Sequence, residues 1–350
     1  MTVVALGVPS VSRPVGPAPT DGPLLDTFGR VATDLRVSLT DRCNLRCTYC
    51  MPAEGLDWMS GEQLLTVDEL TRLLGIAVTR LGVTRVRFTG GEPLLAKRLE
   101  EVVAATAALH PRPEITLTTN GIGLHRRAEG LKRAGLDRIN VSLDTVDAEH
   151  FAHITRRDRL ADVLAGLAAA HRAGLQPVKV NAVLDPTTGL EDAVSLLRFS
   201  LEHDYRLRII EQMPLDAGHE WSRGTTIGAD EVLATLQRHF TLTPDPAPRG
   251  SAPAQLWLVN GGPATVGIIA SVSRPFCGSC DRVRLTADGQ IRNCLFARVE
   301  SDLRTPLRNG AGDAEIAQLW VRAVAGKQPG HGINDPSFLQ PDRPMSAIGG

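Results

Sequence analysis

The side chains best able to do chemistry in this sequence are its six cysteines, which fall into two triplets with none outside them. Cys43, Cys47 and Cys50 have the spacing C-x3-C-x2-C, in a loop just after a predicted strand. Three thiolates so placed can hold three irons of a cubane cluster, leaving the fourth iron free to bind a substrate or cofactor. Cys277, Cys280 and Cys294 have the spacing C-x2-C-x13-C and by the same argument predict a second cluster with one open iron. Zinc is the alternative: the first motif contains no His to complete a tetrahedral site, whereas an Asp could complete the second. Disulfides belong to small secreted domains, and this chain of 350 residues lacks a charged-then-apolar signal sequence. A reducing, cytoplasmic setting with metal ligation is expected.

Two further features stand beside the cysteines. Arg282 and Arg284 alternate on a predicted strand, so both point to one face next to the second triplet and can bind a polyphosphate with forked hydrogen bonds. Thr89-Gly90-Gly91-Glu92-Pro93 follows a second strand, where paired glycines let a backbone approach a ligand closely. The same five residues also suit an ordinary strand-to-helix turn.

The elements that must position these groups alternate in type. Strands are predicted at 34–40, 84–89, 114–119, 138–143, 177–184 and 206–211. Between them lie helices such as 68–81, opened by a Thr66/Glu69 capping box, and one carrying Leu160, Val163, Leu164 and Leu167 that ends at Gly174. Six β-then-α units imply a parallel sheet, either an incomplete barrel or an open doubly wound sheet. Residues 243–254, with four prolines, predict a linker; 256–259 and 265–270 a hairpin; 313–325 the last helix, followed by a Gly/Pro-rich tail. Residues 1–25 are expected to be a disordered leader, followed by a barrel at 26–243 and a second-cluster region at 244–350. The length fits one large domain or two.

Composition narrows the function classes. With 43% apolar and 22% charged residues, the chain has the make-up of a soluble globular protein, and no apolar run is long enough to span a membrane. Thirty-eight basic against 39 acidic residues give a net charge of −1, which argues against a nucleic-acid or membrane footprint. Aromatic residues, at 4%, are too few for a single-strand stacking platform.

The C-x3-C-x2-C motif with Tyr49 before its last Cys, together with Gly90-Gly91-Glu92-Pro93, resembles the radical S-adenosylmethionine (SAM) superfamily. With Phe276-Cys277-Gly278-Ser279-Cys280, Arg282, Arg284, Cys294 and a Gly-Gly terminus, the chain from about residue 30 onward resembles the GTP 3′,8-cyclases that begin molybdenum cofactor synthesis. The resemblance implies an incomplete parallel (β/α)6 barrel of radical SAM type, with a C-terminal region carrying a second iron–sulfur cluster. It implies two [4Fe-4S] clusters and SAM as cofactors, with Cys43, Cys47 and Cys50 on the first cluster and Cys277, Cys280 and Cys294 on the second. Tyr49, Gly91, Ser142 and Met213 would line the SAM site. Arg36, Arg87, Thr118, Lys179, Arg282, Val283 and Arg284 would contact GTP, with Arg208, Gly349 and Gly350 in the cavity. Most of these positions are expected at or just past the C-terminal ends of the strands.

The reaction so implied is one-electron cleavage of SAM to a 5′-deoxyadenosyl radical, removal of the 3′ hydrogen of GTP, and closure of a bond to C8 of guanine. An electron donor and, downstream, cyclic pyranopterin monophosphate synthase are the implied partners of a monomer or homodimer. The sequence departs from the family at Asp281, where Asn or Thr is usual, at Arg85, often Lys, and at Ala347, often aromatic. An acidic residue beside the second cluster is expected to weaken nucleotide binding. Another radical SAM enzyme with an auxiliary cluster, or a non-catalytic metal-binding scaffold, are the alternatives. Iron with sulfide separates the enzymes from a zinc scaffold.

Overall fold

The structure is a computed structural model, describing residues 20–349. Six strands occur where period-two patterning predicts them: β1 Asp34–Ser38, β2 Arg85–Thr89, β3 Glu114–Thr119, β4 Arg138–Ser142, β5 Lys179–Val183 and β6 Arg206–Ile210. Helices α1 Val67–Thr79, α2 Leu99–Ala107, α3 Ala128–Ala134, α4 Ala148–Thr155, α5 Leu160–Arg172 and α6 Gly189–Glu202 connect them. The strands are parallel and lie side by side in chain order. A doubly wound sheet reverses its strand order at a switch point; an unbroken order with right-handed crossovers keeps every helix on one face, as in a barrel.

The rest of the chain extends this sheet at both edges. After α7 (Ala229–Gln237), strands β7 Leu242–Pro244, β8 Gln255–Val259 and β9 Thr265–Ile269 form an antiparallel meander whose last strand pairs in parallel with β6. Strand β10 (Arg282–Leu285) then crosses to the opposite edge and pairs in parallel with β1, and β11 Gln290–Arg292 and β12 Ser301–Asp302 continue antiparallel beyond it. Helices α8 Arg304–Arg308 and α9 Asp313–Ala325 follow, and the short α10 (Met345–Ile348) precedes the terminus. The predicted linker thus opens inside β7, whose Pro244 sits at the sheet edge, the place a residue without an N–H is tolerated.

Side-chain alternation divides the sheet into two unlike faces. Leu35, Val37, Val86, Phe88, Leu117, Val141, Val180 and Leu207 point outward into one hydrophobic core with Leu70, Leu73 and Leu74 of α1. The capping box forms as predicted: Thr66 Oγ1 accepts from the Glu69 N–H (3.2 Å) and Glu69 Oε2 from the Thr66 N–H (2.7 Å). Leu24, within the expected leader, is fully buried in the same core, and Leu25 bridges to Val31. Residues 1–19 of the expected leader lie outside the described residues. No helix among the described residues is long and apolar enough to cross a membrane.

Candidate active site

Opposite the core, the inner face of the sheet is polar and mostly basic. Arg36, Arg87, Thr118, Ser142, Asn181, Arg208, Arg282 and Arg284 line a cavity of ≈ 340 Å³. Register aligns Arg284, Arg36, Arg87 and Thr116 across β10, β1, β2 and β3. One layer deeper come Arg282, Asp34, Arg85 and Glu114. The deeper layer contains the carboxylates: Asp34 lies 3.8 Å from Arg87, and Glu114 2.5 Å from Arg138. The buried Nε atoms of Arg36 and Arg87 in the upper layer, and Nε and Nη2 of Arg282 in the deeper one, meet no hydrogen-bond partner among the described residues. Unpaired buried guanidinium donors are costly, and an anion that accepts from several of them would relieve that cost.

The charges act on one another through a poorly solvated space. Burial, then Arg284 and Arg87, holds the Arg36 guanidinium well below its ordinary value. Lys179, which shares its face of β5 with Asn181, is depressed to about 6 by burial and by Arg208, Arg138, Arg87 and Arg206. Its side chain does not line the cavity, which is walled by Asn181 and Arg208 above it. Val283 points into the hydrophobic core, because it alternates with Arg282 and Arg284, and only its backbone is available to the inner face. The expectation that these residues gather at strand ends holds for Thr118, Ser142, Gly91 and Met213. It fails for Arg36, Arg87 and Arg208, which sit mid-strand, and for Lys179 and Arg282, at strand starts. The lumen is polar enough to accept long basic side chains along its depth.

Both cysteine triplets open onto this cavity. The first occupies the loop after β1, fastened to α4 by the Arg46 and Thr48 N–H groups donating to the carbonyls of Thr155 and Ile154 (3.0 and 2.9 Å). Gly90 and Gly91 press against the same loop: a Cβ on either would stand 2.3 Å from the Thr40 or Arg42 carbonyl oxygen. The glycine pair is therefore required by backbone packing as well as by any ligand. Glu92 is buried beneath, accepting from Thr119 Oγ1 (2.6 Å) and from the N–H groups of Asn120 (2.7 Å) and Leu94 (2.9 Å), and burial raises it to about 7. Tyr49 donates to Asp144 (2.8 Å), whose carboxyl burial lifts to about 6.

The chemistry of the two donor sets fits metal–sulfur ligation. All six cysteines are free and partly exposed, and each triplet lies along a wall of the cavity. Among the described residues, no group of three or more His, Cys, Asp or Glu is gathered for a single ion. Burial pushes the thiols of Cys43, Cys47 and Cys277 up, and that of Cys50 to about 12; neighbouring sulfurs add to the rise at Cys47, Cys50 and Cys277, and Glu92 at Cys43. Such groups release protons when they ligate a cation. Cys280 goes the other way: burial opposes ionisation, but the charges of Arg282 and Lys327 outweigh it.

Several residues at the site escaped the sequence analysis. His331 lines the cavity with its imidazole fixed between the Ser271 carbonyl (3.0 Å at Nε2) and the Ile333 N–H (3.1 Å at Nδ1). Lys327 and Arg30 grip the second triplet's loop. None carries a local pattern: Lys327 and His331 fall in the Gly/Pro-rich tail, and Arg30 precedes the first predicted strand. Asp281 accepts from Arg85, from Ser251 Oγ (2.8 Å) and from Thr33 Oγ1 (3.3 Å), outside the cavity lining. Two of the three departures thus form an ion pair with each other.

The tail enters the cavity. Met345 and Ser346 line it, the Ser346 N–H points to the Cys50 sulfur, and Arg284 donates to the Gly349 carbonyl. Gly349 has φ +78°, and a Cβ there would lie 2.4 Å from Ser38 Oγ. Gly350 lies outside the described residues.

Residues 37–200 match the Radical SAM superfamily, and 205–333 match Molybdenum Cofactor Synthesis C. The chain is 73% identical to a GTP 3′,8-cyclase of Mycobacterium sp. (strain KMS) over 350 residues, covering 100% of both chains. It is 69% identical over 360 residues to GTP 3′,8-cyclase 2 of Mycobacterium tuberculosis (strain ATCC 25618 / H37Rv), again covering 100% of both. Among solved structures, SuiB of Streptococcus suis shares the fold at 13% identity and a TM-score of 0.57, over 87% of this chain and 68% of that one. With identity this high along its whole length, and with two cysteine triplets facing a basic lumen, the chain belongs to the GTP 3′,8-cyclase family of radical SAM enzymes.

Proposed function

We propose that this chain converts GTP to (8S)-3′,8-cyclo-7,8-dihydroguanosine 5′-triphosphate, the first step of molybdenum cofactor synthesis, in the cavity between its two cysteine triplets. One observation carries the reading: a single lumen has a triplet on either side and, between them, arginines with unpartnered guanidinium nitrogens. Cys43, Cys47 and Cys50 would hold a [4Fe-4S] cluster, with SAM against Tyr49, Gly91, Ser142 and Met213. Cys277, Cys280 and Cys294 would hold a second cluster toward guanine. When bound, the first cluster and SAM supply one-electron chemistry that removes hydrogen from an unactivated carbon.

The chain's own residues decide which carbon that is. Arg36, Arg87, Arg282 and Arg284 fork onto the triphosphate, Lys179 adds charge from below, and Thr118, Arg208 and the Val283 backbone complete the cradle. Fixing the phosphates at one depth and the base at the second triplet leaves C3′ facing the first triplet. Met213, Phe296 and Met345, beside the lumen, and the inserted Gly349 keep water from the reacting carbon. Residues 26–243 and 244–350 act as one unit, since each furnishes one triplet. An external electron donor and a downstream cyclic pyranopterin monophosphate synthase complete the scheme, for a monomer or homodimer.

The test uses anaerobically reconstituted, reduced protein with SAM and GTP deuterated at C3′. Deuterium is expected in 5′-deoxyadenosine. Unlabelled 5′-deoxyadenosine formed at a GTP-independent rate would move the substrate elsewhere, and none from protein holding iron and sulfide would favour a non-catalytic role.

A further inference from the structure

A segment that follows α9 wraps the Cys277–Cys280 loop. Lys327 is 4% exposed, and its Nζ donates to the Cys280 carbonyl (3.1 Å), to Cys280 Sγ (3.4 Å) and to the Arg282 carbonyl (2.8 Å). Among the described residues no carboxylate pairs with it. The His331 N–H, four residues on, points to the Cys277 sulfur. Arg30, itself paired to Asp26 at 2.5 Å, holds the segment to the loop through the carbonyls of Cys277 (2.8 Å), Gln328 (2.6 Å) and Pro329 (3.1 Å). A buried ammonium without a carboxylate needs another anion, and the nearest candidate is the Cys280 sulfur.

We propose that Lys327 is a positioning residue of the second triplet, anchoring Cys280 and supplying, together with Arg282, buried positive charge that poises the cluster held there toward its reduced state. The proposal rests on the reading that these three thiolates hold a cluster. Three thiolates on a [4Fe-4S] core make it an anion, and reduction adds a further negative charge. A cation at hydrogen-bond distance in a poorly solvated site stabilises the more negative state more strongly. The first triplet is set differently: Arg46 donates to the Cys43 and Leu45 carbonyls (both 2.8 Å), but Asp144 reaches the triplet through Tyr49, and Glu92 through Asn120, which donates to Asn44 (2.7 Å) and lies 4.0 Å from Cys43 Sγ. The structure thus gives the two clusters unlike electrostatic settings, the second being the easier to reduce.

The experiment removes the first cluster with Cys43→Ser, Cys47→Ser and Cys50→Ser in the full chain, then adds Lys327→Gln or Lys327→Arg. Iron, sulfide and the midpoint potential of the reduced-cluster paramagnetic signal are measured on each. The triple-serine protein is expected to hold about four irons; if it holds none, the second-cluster reading fails whatever Lys327 does. With the cluster present, Lys327→Gln is expected to shift the midpoint to more negative potential, and Lys327→Arg to bring it back toward the parent. An unchanged midpoint in Lys327→Gln at parental iron content overturns the proposal. Should Gln lose the cluster while Arg keeps it, charge holds Cys280 as proposed. Loss in both variants with unchanged circular dichroism makes the role one of packing and overturns it.

Discussion

Lys179 carries the sharpest single-residue consequence. With its pKa at about 6, it is mostly uncharged at neutral pH beneath the ligand-free cavity, and a polyphosphate bound above it raises that pKa and restores the charge. Nucleotide binding above pH 6 should therefore take up a proton, and affinity should fall as pH rises. Calorimetry of GTP binding at pH 7.5 in buffers of different ionisation enthalpy is expected to show this uptake, and Lys179→Met to abolish it while weakening binding roughly ten- to a hundredfold. Uptake that persists in the variant would assign the proton elsewhere. The sign for stability follows from the same shift. Above about pH 6 the unfolded lysine binds more protons than the folded one, so this group makes the ligand-free fold more stable with rising pH, toward the ordinary lysine range. At this scale the cysteines and the Arg282/Arg284 pair were legible because spacing and alternation are local. The Arg85–Asp281 pair was not: the two residues lie 196 positions apart and meet only because β10 docks on the other edge of β1.

At the scale of elements, β1 to β6 were legible because each buries β-branched or leucine side chains on its outer face at period two. What the pattern also contained was the inner face, an alternate set of Arg, Lys, Asn and Thr that resembles a solvated surface until curvature turns it inward. Strands β7, β11 and β12, of three residues or fewer, and the single turn of α10 were not legible, since pairing and docking rather than local propensity hold them. The last of these is fixed from outside: Arg343, just before it, donates to both carboxylate oxygens of Asp288 (2.9 and 2.7 Å). Gly349→Ala tests whether the element must reach full depth. Its Cβ would meet Ser38 and Thr89, at a backbone angle unfavourable to alanine. Label transfer from deuterated GTP is expected to fall at least about tenfold, which corresponds to roughly 1.4 kcal/mol, with iron content unchanged. Retained transfer would show that the tail can withdraw without loss.

For the whole molecule, the two triplets differ in what they hold together. The first sits in one loop between β1 and α1. The second joins the Cys277–Cys280 turn to Cys294 after β11, and the 327–331 segment and Arg30 fasten onto it. Stripping iron with a chelator is therefore expected to accelerate amide exchange across 277–296 and 326–333, while β2 to β5 stay protected. Uniform acceleration through the barrel strands would contradict this division. Sequence alone could not foretell that the C-terminal third walls both sides of the lumen, because β10 against β1 is a contact between the two ends of the chain.

That contact also sets a timetable. Strand β1 is among the first parts of the sheet to leave a ribosome, and its outer neighbour is among the last. At about 5–20 residues per second, the interval between them is on the order of tens of seconds. Throughout it, β1 presents an unpaired edge, the kind of template on which nascent chains associate. Buried charges in and beside that strand, Asp34 and Arg36, make it a poor apolar template while it waits. The same arginine that faces the lumen in the finished protein would then guard the edge during synthesis.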